Sequence, residues 1–237
     1  RSCALARITC QQKGTARRRT VRGRPLALSA CLVKLLQIPT PRKVLDRAEL
    51  ADALAALVAE HGAAKARPQI VALLRAALDG GRAELARRLA EKPSAGHEIT
   101  RGHAWLIDQL IRTVHDHVVA DVYPASNRTP SNHMGGERLT LIAVGGYGRA
   151  EMAPHSDVDL ACITPGSKAP WCEQVIEALL YFLWDLGLKV GHSSRSLDEM
   201  VRMARADLTI RTALLEGRYL WGDEELYAEA SRRFWAE

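Results

Sequence analysis

Residues 141–160 read LIAVGGYGRAEMAPHSDVDL, and the rest of the chain is best read outward from them. Leu139, Leu141, Ile142, Ala143 and Val144 form a short apolar run that ends at Gly145 and Gly146, the pattern of a buried strand stopping at a turn. Val158, Leu160, Ala161, Cys162 and Ile163 form a second such run, closed by TPG at 164–166. Alternate side chains share a face of a strand, so Asp157 and Asp159 point together. Beside them the glycines let bare backbone N–H groups approach a ligand. A carboxylate pair of this kind suits Mg²⁺, which binds through one or two carboxylates and the phosphates of a nucleotide. Arg149 can neutralise phosphate charge and Ser156 can donate a hydrogen bond. Each half also has a plainer reading. The glycines alone would serve any tight turn, and the two aspartates alone would serve a solvated strand edge. Neither a Walker A loop nor a GxGxxG fingerprint is present.

Upstream of this segment the pattern is helical. Asp46 is placed to cap a helix carrying Leu50, Leu54, Leu57 and Val58, ended by Gly62. Pro68 opens a second, with Ile70, Val71, Leu73, Leu74 and Leu78 inward, and DGG at 79–81 is expected to stop it. A separate charged helix then follows over 83–91. A long helix over 98–121 buries Leu106, Ile107, Leu110, Ile111, Val114, Val118 and Val119. Residues 123–137 are a Pro-, Ser-, Asn- and Gly-rich loop. Downstream, 171–186 is an apolar helix, Leu188, Val190 and His192 suggest a third strand, and 217–220 an edge strand. Helices are expected at 196–205, at 207–216 and from Asp223 onward.

The chain has 237 residues, 47% hydrophobic and 25% charged, an ordinary globular composition. No stretch of 18 apolar residues exists; the longest run, 26–38, is broken by Lys34. The net charge of +6 is unevenly placed. Residues 1–47 hold 12 Lys and Arg against one acid, and the remainder 21 against 26. A basic-surface argument for nucleic-acid binding therefore touches the leader alone, and no specific nucleic acid or membrane partner is expected. The leader, residues 1–40, is expected to be disordered and separable, with the PTP at 39–41 as a stiff boundary. Its Arg-rich, acid-poor composition also suits a targeting segment or a binding arm. Five cysteines without a CxxC pair fit reduced thiols in the cytoplasm rather than a disulfide framework.

Four separated segments in order carry a resemblance: VGGYGR at 144–149, SDVD at 156–159, LWDLGLKVGHS at 183–193 and DLTIRTALLE at 207–216. The first two resemble the polymerase-beta-like nucleotidyltransferase superfamily. All four together resemble the bacterial uridylyltransferases of the nitrogen-regulatory PII protein, strongest over 139–222. The resemblance implies an α/β (α+β) fold, with a helical N-terminal region (41–125) before a nucleotidyltransferase core with a small mixed sheet (126–222). Residues 223–237 would begin a further helical region. It implies transfer of UMP from UTP to a PII tyrosine with release of pyrophosphate. Asp157 and Asp159 would be the catalytic, Mg²⁺-binding carboxylates, and Gly145, Gly146, Arg149 and Ser156 the nucleotide contacts. Uridylyl removal and glutamine sensing would belong to domains outside this sequence.

Two other readings stand beside this one. One is an adenylyltransferase of the same superfamily acting on glutamine synthetase. The other is an inactive module that only binds PII or nucleotide. The resemblance further implies a third carboxylate from a later strand. Residues 188–193 hold no acid, which leaves His192 or an acid near it for that place; His192 also has the plainer reading of a packed core histidine. Arg211 is expected either to reach nucleotide or to pair with Glu216. His115 and Asp116 read as a solvated helical face, and Trp171, Trp184 and Trp221 as core or interface aromatics.

Overall fold

The computed structural model describes residues 36–124, 137–166 and 169–236. The leader reading falls mainly on residues 1–35 and the loop reading mainly on 125–136, both outside the described residues. The N-terminal half is helical, in the order α1 (Pro41–Val44), α2 (Arg47–His61), α3 (Arg67–Glu91) and α4 (Gly96–His117), the last continuing as a π-helical turn over Val118–Val122. There follow β1 (Thr140–Ala143), the single-turn α5 (Gly145–Gly148), β2 (Val158–Thr164), α6 (Pro170–Asp185), β3 (Val190–Ser196), α7 (Leu197–Ala206), α8 (Leu208–Leu215), β4 (Arg218–Gly222) and α9 (Glu224–Trp235). A helical region thus precedes a small mixed sheet, and the fold is α/β as expected.

Helix starts follow the side-chain caps. Asp46 accepts from the N–H groups of Ala48 and Glu49, Asp207 from Thr209 and Ile210, and Asp223 from Leu226, each satisfying donors that a helix leaves unpaired. Pro41 does not bar a helix. It sits at the first position of α1, where its missing N–H costs nothing. Ile38, ahead of that proline, is only 9% exposed and packs into the core, and Arg88 donates to the carbonyls of Pro39 and Thr40 at 2.6 and 3.2 Å. The packed body therefore reaches back at least to Ile38.

Gly80 and Gly81 do not stop a helix. One continuous α3 runs through them, so the two helices expected from the sequence are one. The reason lies in tertiary packing. A Cβ on Gly81 would come within 2.6 Å of a Leu106 methyl and 2.9 Å of the Val44 carbonyl. A Cβ on Gly102, one turn back on α4, would collide with Leu85. Each helix presents a glycine to the other's leucine, and the two pack closely through that exchange.

The sheet order is β3-β2-β1-β4. β1 pairs antiparallel with both β2 and β4, while β2 and β3 run parallel. Leu141, Ala143, Val158, Leu160 and Cys162 join the large cluster formed with α3, α4 and α6. Ile142, Ala161 and Ile163 face the other way, against α7 and α9. Cys162 is a buried thiol, and the buried Cys172 donates its Sγ–H to the Arg138 carbonyl at 3.2 Å; the other three cysteines lie outside the described residues.

The two neighbouring glycines separate propensity from packing. Nothing lies within 4 Å of a Cβ on Gly80, so Gly80→Ala should stabilise the protein by about 0.5–1 kcal/mol. Gly81→Ala should destabilise it by about 1–3 kcal/mol through overpacking. Urea unfolding of both variants checks this, and equal effects would contradict the packing account.

Candidate active site

The turn after β1 is built by contacts that exclude side chains. Gly145 opens it with φ +60°, a left-handed conformation that favours glycine. A Cβ on Gly148 would strike the Glu216 carbonyl and lie 2.8 Å from that of Ala143. Gly146 differs, since a Cβ there would meet nothing closer than 3.4 Å. Packing does not demand a glycine at 146, and its bareness instead keeps the outer surface of the turn open. The first N–H groups of the turn have no acceptor within it.

Three buried groups hold the turn from beneath. Tyr147 donates its hydroxyl to Asp108 at 2.7 Å. Arg218 grips the same carboxylate through two nitrogens at 2.7 and 3.0 Å, and donates to the carbonyls of Gly148 and Tyr147 at 3.3 and 3.4 Å. Asp108 and Arg218 are 0% and 2% exposed.

Of the two predicted carboxylates, Asp159 lies against the glycine turn. The Val144 N–H donates to the Asp159 carbonyl at 3.0 Å, fixing β2 against the turn's entry. One Asp159 carboxylate oxygen lies 3.3 Å from where a Gly145 Cβ would stand, and the other presses against Gly191, its register partner on β3. The carboxylate is thus seated between two glycines. Burial, and after it the charge of Asp157, pushes its pKa above the ordinary carboxylate value. Asp157, two residues back, is exposed.

Arg149 and Ser156 are nearby but engaged. The Arg149 guanidinium pairs with Glu151 at 3.0 Å and Glu216 at 2.7 Å, and these acids raise its pKa further. Ser156 Oγ accepts from the Ala153 N–H at 2.9 Å and closes the return turn; its own proton remains available to donate.

Several expectations are overturned. His192 is paired with Leu160, one step from Asp159, so its side chain lies on the opposite face of the sheet. It is exposed, its ring 6.3 Å from that of Trp184, and it is neither a packed core residue nor a third ligand. Arg211 does not pair with Glu216, which Arg149 occupies; it lies over the Phe234 ring at 6.0 Å. Trp184 is 45% exposed, which removes the core reading for it and leaves the interface one. His115 is buried rather than solvated, and Asp116 ties Arg47 to the Trp221 indole. Among the described residues no group of three or more His, Cys, Asp or Glu converges as a metal site.

Sequence reasoning missed Gly191, Glu216 and the Asp108–Tyr147–Arg218 network. A glycine inside a strand signals a close approach, so Gly191 was within reach. Nothing local links Asp108 to Arg218, 110 residues apart.

No family model matches this chain. It is 65% identical over 203 residues to a bifunctional uridylyltransferase/uridylyl-removing enzyme of Novosphingobium aromaticivorans, covering 86% of this chain and 22% of that protein. A namesake from Erythrobacter litoralis is 59% identical over 201 residues, covering 85% and 21%. One from Rhodospirillum rubrum is 48% identical over 202, covering 84% and 21%. The chain spans about a fifth of the length of these curated relatives, and over most of its own length it is similar to one portion of them.

Removing the neighbouring charge should move Asp159. In Asp157→Asn its pKa should fall towards the ordinary value without reaching it, because burial, the larger cause, remains. Carboxyl-carbon NMR titration reads this directly. An unchanged Asp159 titration would mean the two carboxylates do not sense each other.

Proposed function

We propose that this chain carries the nucleotidyltransferase centre of a bifunctional uridylyltransferase/uridylyl-removing enzyme. On this reading it moves UMP from UTP to a tyrosine hydroxyl of the PII protein. The observation that carries the reading is Asp159 seated against the glycine turn with the charge of Asp157 close by, in a chain so similar to enzymes of that name. The relatives' names favour uridylyl over adenylyl transfer.

The carboxylate pair fits Mg²⁺. Both groups are acceptor-only oxygen ligands close enough to sense each other's charge, Asp159 at the start of β2 and Asp157 just before it, and burial beside a like charge leaves Asp159 short of a positive partner. Bound there, Mg²⁺ would neutralise the triphosphate and polarise the phosphoryl group under attack. Asp157 and Asp159 would hold it. The open face of Gly145 and Gly146 would let phosphate oxygens approach backbone N–H groups. Arg149 would exchange Glu151 and Glu216 for phosphate, and Ser156 would donate its remaining proton. The tyrosine oxygen bonds to the α-phosphorus as the bond to the bridging oxygen breaks. Pyrophosphate leaves with that electron pair, and the hydroxyl proton is released. Positioning and charge stabilisation supply the rate. Uridylyl removal and glutamine sensing we assign to other parts of such enzymes. A cytoplasmic setting belongs to the same reading, in keeping with the buried thiol of Cys162.

Incubation with PII, Mg²⁺ and labelled UTP or ATP tests the proposal. Label should pass to PII from UTP and not from ATP, and equal transfer from ATP, or none from either, would overturn it. Asp157→Asn and Asp159→Asn should each lower transfer by at least about a hundredfold. A raised carboxyl pKa means that ionised Asp159 costs folding stability above that pKa. Asp159→Asn should therefore keep or raise the melting temperature at pH 7. A variant that melts early would point to a structural role.

A further inference from the structure

β3 is an edge strand, and among the described residues no strand pairs with its outer side. The Val158 N–H donates to the Lys189 carbonyl at 2.8 Å. Backbone groups alternate in direction along a strand, so those of Gly191, Ser193 and Arg195 turn towards β2 and those of Val190, His192 and Ser194 turn outward. Such an edge is a template for a further extended segment.

The two faces of this edge differ in chemistry. On the α6 side, His192 and Ser194 border a cleft of about 370 Å³ that also takes in Glu173, Glu177, Tyr181 and Trp184. Tyr181 and Trp184 are 48% and 45% exposed and stack edge to face at 5.6 Å, with His192 beyond. An aromatic row with two carboxylates at one end suits a segment bearing apolar and basic side chains. On the other face stands Gly191, with the Asp159 carboxylate leaning over it. Any side chain at 191 would strike that carboxylate and wall it off from the edge.

We infer that the outer edge of β3 receives the acceptor protein's target segment as an added strand, with the acceptor tyrosine directed over Gly191 and its neighbours in the Tyr181–Trp184–His192 cleft. This rests on the functional reading above. Adjacent strands lie about 4.8 Å apart, so the added strand stands about 10 Å from Asp159. A tyrosine side chain lying across the bare Gly191 covers most of that distance. Strand parity then sends the residues on either side of the tyrosine to the opposite face, into the cleft. The surface thus specifies a pattern: a tyrosine between cleft-filling residues, with a basic residue reaching Glu173 or Glu177.

The test is steady-state transfer of UMP to PII. Ser194→Pro removes an outward N–H without touching the β2 ladder, a position where an edge strand tolerates proline. It should raise KM for PII at least tenfold while leaving the UTP dissociation constant within twofold. Ser194→Ala, which keeps the N–H, should stay within twofold for both. Glu173→Lys combined with Glu177→Lys should also raise KM for PII, and the gap from wild type should narrow as salt rises. If Ser194→Pro melts early, this helix-surface pair decides. An unchanged KM for PII in the charge-reversed pair, or in a well-folded Ser194→Pro, with wild type active, would overturn the docking site and leave the functional reading intact. Wild-type protein that never labels PII would overturn that reading, and this inference with it.

Discussion

The buried pair of Asp108 and Arg218 is the constraint on which the site rests. A charge in a protein interior is tolerated only with a partner and a full set of hydrogen bonds. Here the partners come from three places: the middle of α4, the start of β4 and the glycine turn. Arg218 spends two nitrogens on Asp108 and also reaches the carbonyls of Tyr147 and Gly148. Asp108 takes the Tyr147 hydroxyl on its remaining capacity. Parting α4 from β4 would separate Arg218 from Asp108, and breaking a buried ion pair costs about 3–5 kcal/mol, while moving the turn would take from both charges their remaining hydrogen bonds. A turn made of glycines has little stiffness of its own. The network supplies it from below, and leaves the upper surface free for chemistry.

The glycines then divide the labour. Gly148 lets the turn press against the end of α8, Gly191 makes room for the Asp159 carboxylate, and Gly146 is needed for neither. This sorting bears on how much of the site was legible in the sequence. Apolar runs, glycines and alternating aspartates are local signals, and the strand–turn–strand unit they spell is present, with Asp159 at the start of its second strand and Asp157 just ahead of it. The cap at Asp46 is equally local and was placed correctly, and the helix starts read at Asp207 and Asp223 also prove to be side-chain caps. What escaped the sequence is set by neighbours distant along the chain. Residues 79–81 resemble a helix stop, yet α3 runs through them, because Leu106 and Val44 from other elements require the gap that Gly81 leaves.

The same limit applies to the charged residues near the turn. The sequence offers Arg149 as a cation for phosphate, but not the two acids that hold it. Glu151 lies two residues along, and Glu216 arrives only because β4 pairs with β1. A salt-bridged, half-exposed arginine is held weakly in water. It can be exchanged for a more highly charged partner at little cost, so its engagement does not conflict with phosphate binding. His192 was misplaced for another reason. It was offered because residues 188–193 hold no acid, whereas parity along β3 pairs it with Leu160 and turns it to the face opposite Asp159.

Parity is also what makes β2 consequential. Along it, Val158, Leu160 and Cys162 enter the large core, while Ala161 and Ile163 pack against α7 and α9, and Asp159 continues that second row beyond its apolar end, with Asp157 just before the strand. A slip of one residue would drive the Asp159 carboxylate into the main core and take three apolar side chains out of it. Two bonds at the strand's start oppose the slip from either side: Val144 N–H to the Asp159 carbonyl, and Val158 N–H to the Lys189 carbonyl. The carboxylates are therefore held in place by the burial of their neighbours, and not by contacts of their own. An acid with a raised pKa contributes nothing to folding when ionised. Its place is secured by the apolar residues between and beyond the two aspartates, so either carboxylate can be given over entirely to binding.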